Sequence, residues 1–110
     1  MNESRAAIRY AKATLDFAVE QKAADKVEKD MRQIATVISE NEELKNVLGS
    51  PVVKGSDKKE ALGKIFKGSN ATTLGLINTQ TDNKRVEVLQ EVAYKYIIQY
   101  EKMKGEDVAY

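Results

Sequence analysis

The chain of 110 residues is 42% hydrophobic and 32% charged, which suits a single soluble domain with its own core. It contains no cysteine and no histidine. Disulfides, thiolate nucleophiles, Cys-based zinc sites and the commonest general base and metal ligand are thereby excluded. Eighteen basic against seventeen acidic residues leave a net charge of +1, too balanced for a protein that lives on nucleic-acid phosphates.

Residues 4–21 contain neither Gly nor Pro and are rich in Ala, Lys, Arg and Glu, which predicts a first helix. The N-terminal Met1-Asn2-Glu3-Ser4-Arg5 lacks the apolar stretch of a secretory signal, so a cytosolic protein is expected. A second helix over about 25–40 is predicted by Val27, Met31, Ile34 and Ile38, widened by Ala35 and Val37 into one core-facing stripe. Asn41-Glu42-Glu43-Leu44 reads as a cap followed by acids in a first turn, and Gly49-Ser50-Pro51 stops this short third helix.

Residues 49–56 form the longest expected loop. Ser56 is the expected cap of a fourth helix that turns Ala61, Leu62, Ile65 and Phe66 inward and closes at Gly68. Ser69 or Asn70 caps a fifth helix over roughly 71–81, with Leu74 and Ile77 as its clearest apolar pair. Asp82-Asn83-Lys84 is a turn in which Asn83 is the residue suited to a left-handed backbone. The last helix, about 84–103, carries Leu89, Ala93, Tyr96, Tyr100 and Met103 on one stripe beside Val86, Val92 and Ile97, with Tyr94 projecting elsewhere. No segment alternates with period two. An all-α bundle of five to six helices over residues 1–104 is expected, with 105–110 as the start of a linker.

The first helix carries more apolar surface than one interface uses. Ile8, Ala11, Leu15, Ala18 and Val19 gather on one side, while Tyr10, Ala13 and Phe17 gather opposite, near Ala6. Arg9, Lys12, Asp16 and Glu20 are squeezed into an arc of roughly 80°. Two readings fit: Tyr10 and Phe17 are core residues between two neighbouring helices, or they wall a groove that receives an amphipathic helix from a partner.

Enzyme motifs fail on their spacing. Gly63-Lys64 invites a phosphate-loop reading, but Lys58 stands where the first Gly is needed and Ile65 where a Ser or Thr is needed. Glu42-Glu43 and Glu106-Asp107 are better read as solvated charge than as acid/base pairs. No catalytic, cofactor-binding or metal-ligating set is expected.

The run Arg9-Tyr10-Ala11-Lys12-Ala13-Thr14-Leu15-Asp16-Phe17-Ala18, the segment Asn41-Glu42-Glu43-Leu44 with Leu48 and Ser50-Pro51, and Asp82-Asn83-Lys84-Arg85-Val86-Glu87-Val88-Leu89 occur in order at set intervals. Together with the tyrosine-rich last helix they resemble the delta subunit of bacterial F-type ATP synthase, the oligomycin-sensitivity-conferring protein family. The resemblance implies a six-helix N-terminal domain of a non-catalytic peripheral-stalk subunit, on the cytoplasmic side of the bacterial inner membrane. In that role it supports proton-driven ATP synthesis without entering the membrane. The implied partner is an N-terminal helix of an alpha subunit, held in a groove between the first and fifth helices. Tyr10, Ala13, Thr14 and Phe17 become groove residues on the first helix, and Leu76, Thr79 and Gln80 on the fifth. The b subunits of the stalk would meet a C-terminal region outside these 110 residues, so the chain reads as one piece of a longer protein. Two departures stand out: Thr79-Gln80-Thr81 replaces residues that are commonly aliphatic, and Lys84 replaces a frequent Gly, as a right-handed backbone would allow. The competing reading is an unrelated cytosolic helical adaptor that also binds an amphipathic helix.

Overall fold

The apolar spacing that predicts the second helix carries directly into its packing. In α2 (Ala24–Glu40), Val27, Met31, Ile34 and Ile38 are all buried, and Ala35 joins them. The structure, a computed structural model, describes residues 2–108, with side chains from 5 to 105. The other elements are α1 (Asn2–Glu20), α3 (Glu42–Gly49), α4 (Gly55–Ile65), α5 (Ala71–Asp82), a 3₁₀ turn (Val86–Val88) and α6 (Leu89–Val108). The described residues thus form an all-α bundle of six helices, as the sequence predicts. The last helix continues through Gly105 to Val108, and residues 109–110 lie outside the described residues.

Helix α6 is the central element, and α1 and α2 pack against it most extensively. Leu89, Val92, Ala93 and Tyr96 are wholly buried there. Tyr96 donates its hydroxyl to the Ala24 carbonyl at 2.9 Å, and Tyr100 donates to the Asp25 carboxylate. Gln90, at the start of α6, reaches the Ala35 carbonyl near the end of α2. These contacts make α2 and α6 antiparallel. The side of α1 that meets them is built of Ala7, Ala11, Leu15 and Ala18. Small side chains there let helix backbones approach closely, which concentrates dispersion contacts.

Polar groups fix the ends of the elements. The Asn41 side chain accepts from the Leu44 N–H at 3.0 Å, and Asn70 accepts from the Thr72 N–H at 2.9 Å. Both caps fall where the sequence predicts them. Helix α5 is further anchored to α2 by Asp30, whose carboxylate accepts from the Asn70 N–H at 2.8 Å and the Thr73 hydroxyl at 2.7 Å.

Several expectations need correction. Helix α4 begins at Gly55, one residue before Ser56, and Lys54 precedes it with no side-chain cap. Ile65 is 41% exposed rather than inward, because Leu62 and Phe66 already fill the α4 contact. Ile8 and Val19 lie at the margins of the α1 core face and are exposed. The left-handed residue after α5 is Lys84, at φ 58°, and not Asn83 at φ −88°. The reason is the hydrogen-bond pattern: Lys84 N–H bonds the Thr81 carbonyl at 3.1 Å and Arg85 N–H the Gln80 carbonyl at 2.8 Å. That pair of bonds is a Schellman cap, which requires left-handed backbone at Lys84 whatever its side chain. Lys22 repeats the motif after α1 at φ 58°, with Lys22 N–H to Val19 and Ala23 N–H to Ala18.

Candidate functional site

Helices α1 and α5 touch at their cores but diverge towards solvent, leaving an open groove of about 400 Å³. The α1 wall comes from Tyr10, Ala13, Thr14 and Phe17, positions three and four apart on one helical face. The opposite wall comes from Ala71, Thr72, Gly75, Leu76 and Thr79, which obey the same spacing on α5. No lining side chain is charged. Phe17 is 50% exposed and Ala13 is exposed, so among the described residues no other helix closes this surface of α1.

Each wall is held in place locally. The Thr14 hydroxyl donates to the Tyr10 carbonyl at 2.7 Å, which satisfies it within the helix and leaves its methyl for packing. The Tyr10 ring is half-buried, and its hydroxyl accepts from the Asn83 amide at 3.1 Å, tying the groove's end to the α5 cap. Leu76 forms part of the floor and is nearly buried. A Cβ built at Gly75 would meet nothing within 4 Å, so α5 presents bare backbone to the groove at that point.

Six of the seven sequence-derived residues therefore meet in one groove: Tyr10, Ala13, Thr14, Phe17, Leu76 and Thr79. Gln80 does not reach it. Its side chain is wholly buried in the core, and neither amide atom has a hydrogen-bond partner among the described residues. Ala71, Thr72 and Gly75 are absent from the sequence-based set. The signal for them is the 72, 75/76, 79 stripe, which polar and small residues hide from any hydrophobic count.

A larger depression, about 1090 Å³, opens at the start of α4. Its charges balance, Lys54, Lys58, Lys59 and Lys84 against Asp57, Glu60, Asp82 and Glu87, and Lys59 bridges Asp82 at 2.8 Å. That pattern describes a solvated, self-compensated cleft. Among the described residues no group of three or more His, Cys, Asp or Glu could hold a metal ion, and no helix is long and apolar enough to cross a membrane.

Comparison with known proteins gives one consistent family. A family model described as ATP synthase delta (OSCP) subunit matches residues 6–110. The ATP synthase subunit delta of Christiangramia forsetii is 42% identical over 103 residues, covering 94% of this chain and 56% of the relative. Those of Flavobacterium psychrophilum and Flavobacterium johnsoniae are each 38% identical over 109 residues, covering 99% of this chain and 62% of the relative. The chain thus spans about six-tenths of the length of these curated relatives.

Proposed function

Because the chain belongs to the ATP synthase delta (OSCP) subunit family, we propose that it is a non-catalytic part of the peripheral stalk and that its α1–α5 groove holds the N-terminal helix of an alpha subunit. Its work is mechanical. It tethers the catalytic head against rotor torque during proton-driven ATP synthesis, at the cytoplasmic face of the bacterial inner membrane and without inserting into it. Contacts with the b subunits belong to the part of the relatives that this chain does not span.

The observation that carries this reading is the uncharged groove with Phe17 half exposed along its wall. From Tyr10 to Phe17 the wall runs roughly 10 Å, or two helical turns, a length that suits the apolar face of an amphipathic helix. Covering the open half of Phe17 removes about 100 Å² of apolar surface from water, or about 2.5 kcal/mol before ordering costs. One aromatic of this kind at the centre of a contact is a typical hot spot.

The test is calorimetric titration of the chain with a synthetic peptide of the first ~20 residues of the alpha subunit from the same organism, about 30 Å when helical. Saturable binding is expected, weakened by about 1–3 kcal/mol in Phe17→Ala and in Tyr10→Ala. Absence of binding to the unsubstituted chain would remove the groove from the interface.

A further inference from the structure

The groove does not end at Tyr10. Beyond it two further depressions lead from the groove around α1 towards its charged arc, the first sharing Tyr10 and Ala13 with the groove and the second, which also touches Ile8, sharing Ala6, Arg9 and Arg85 with the first. Their volumes are about 360 and 600 Å³. The composition changes sharply along this path. The walls of the groove are uncharged, whereas the extension is lined by Arg5, Arg9 and Arg85 with Ala6 beneath them. All three arginines are exposed, and none has a hydrogen-bond or ion-pair partner among the described residues.

The convergence comes from the fold. Arg5 and Arg9 are one turn apart on α1, so their side chains share a face. Arg85 arrives from the other side of the path, delivered by the Schellman cap that turns the chain back at Lys84. Among the described residues no carboxylate bonds any of the three guanidiniums, which leaves them open to an anionic group from outside.

Resting on the reading of the groove given above, we propose that the helix it receives carries acidic side chains on the turn that adjoins its apolar face, seated over Arg5, Arg9 and Arg85. The apolar walls supply burial, and the arginine end fixes the helix's direction and register. From Arg5 to Phe17 the track runs roughly 18 Å, so the partner needs at least three turns, two apolar and one acidic. Carboxylates suit the site because a guanidinium fork donates two parallel N–H bonds to one carboxylate. Charged groups at the edge of such a contact act mainly on specificity and association rate.

The experiment uses the 110-residue chain, the alpha-subunit peptide of the first ~20 residues, and a second peptide with each Asp and Glu replaced by Asn and Gln. The expected result is that the acidic peptide binds at low salt and that its Kd rises on the order of tenfold between ~0.05 and ~0.5 M salt, as screening shortens. The amidated peptide should bind on the order of tenfold more weakly and lose most of that salt dependence. A chain with Arg5→Gln, Arg9→Gln and Arg85→Gln should show the same loss with the acidic peptide and no further loss with the amidated one. Its thermal unfolding should be unchanged, since the replaced groups have no partner among the described residues. If the two peptides bind equally, or the triple variant keeps the salt dependence, the acidic-turn proposal is overturned while the groove stands. An alpha-subunit peptide that carries no acidic residue would overturn it equally. If neither peptide binds the unsubstituted chain at any salt, the groove reading fails with it.

Discussion

Replacing Lys84 by glycine should make this protein more stable, although it removes a side chain and adds unfolded-state freedom. Lys84 sits at φ 58° because the cap after α5 requires a left-handed residue there. An L-residue with a Cβ is held in that region at a cost of about 1–2 kcal/mol. Glycine removes that cost and gives back about 0.5–1 kcal/mol through its larger unfolded ensemble. The net gain is therefore about 0.5–1 kcal/mol. Lys22 occupies the equivalent position after α1, also at φ 58°, and should respond alike. For a chain of this length 1 kcal/mol corresponds to about 4 °C in Tm, so the double variant should melt about 4–8 °C higher. Thermal unfolding followed by circular dichroism measures this directly. Gly63→Ala supplies the opposite control: Gly63 lies within α4, and an added Cβ meets nothing within 4 Å, so it too should stabilise, by about 0.5–1 kcal/mol. Stabilisation by Gly63→Ala together with destabilisation by Lys84→Gly would refute the left-handed cap.

Three further outcomes are expected. Leu15→Ala, which empties a core position, should cost about 2–5 kcal/mol in denaturant unfolding, whereas Phe17→Ala, half exposed, should cost about 1 kcal/mol; equal losses would place Phe17 in the core. Asp30→Ala leaves the buried Thr73 hydroxyl and the Asn70 N–H without their acceptor and should cost about 1–3 kcal/mol, partly restored in Asp30→Asn, as urea unfolding would measure. The hydrogen bond to Asp25 pushes the Tyr100 hydroxyl up to about 12 from its ordinary value of 10.0. The protonated form is therefore favoured by folding, so its contribution is full below pH 10 and is lost as pH rises towards 12. Alkaline titration of unfolding should show this loss in the parent chain and less of it in Tyr100→Phe.

Much of the fold could be read from the sequence because its signals are local. The stripe of α2 and the caps at Asn41 and Asn70 need only neighbouring residues, and all appear as expected. What escaped is set by tertiary geometry. Asn tolerates left-handed backbone better than Lys, so propensity favours Asn83, but the last turn of α5 ends one residue later and places that burden on Lys84. Ile8 and Val19 belong to the apolar arc of α1 by angle alone, yet the small contact surface of Ala7, Ala11 and Ala18 leaves its margins open. The groove was half legible. Its α1 wall stands out because aromatic residues recur opposite the core stripe, while the α5 wall is built from Thr72, Gly75 and Thr79, which no hydrophobic pattern distinguishes from a solvated face. Gln80 is the converse case: a polar residue wholly inside, whose burial follows from its place between α5 and the core rather than from its chemistry.

The over-wide apolar surface of α1 resolves into two tasks, with a third carried by its charged arc. Ala7, Ala11, Leu15 and Ala18 bind it to the bundle, and the residues at 10, 13 and 17 line an open groove. Arg5 and Arg9, on the charged arc beside it, carry the depression that adjoins the groove's end. Because the first two faces share a single rigid helix, force applied through the groove passes straight into the core contacts with α6 and α2. A loop-borne site would yield under load before transmitting it, since loops open at low free-energy cost. The second wall, α5, is likewise fixed at both ends, by the Asp30 anchor at its start and the Schellman cap at its finish. The tether role proposed above would need that kind of construction: a helix seated in the groove would meet two braced helices, joined through buried side chains rather than through flexible backbone.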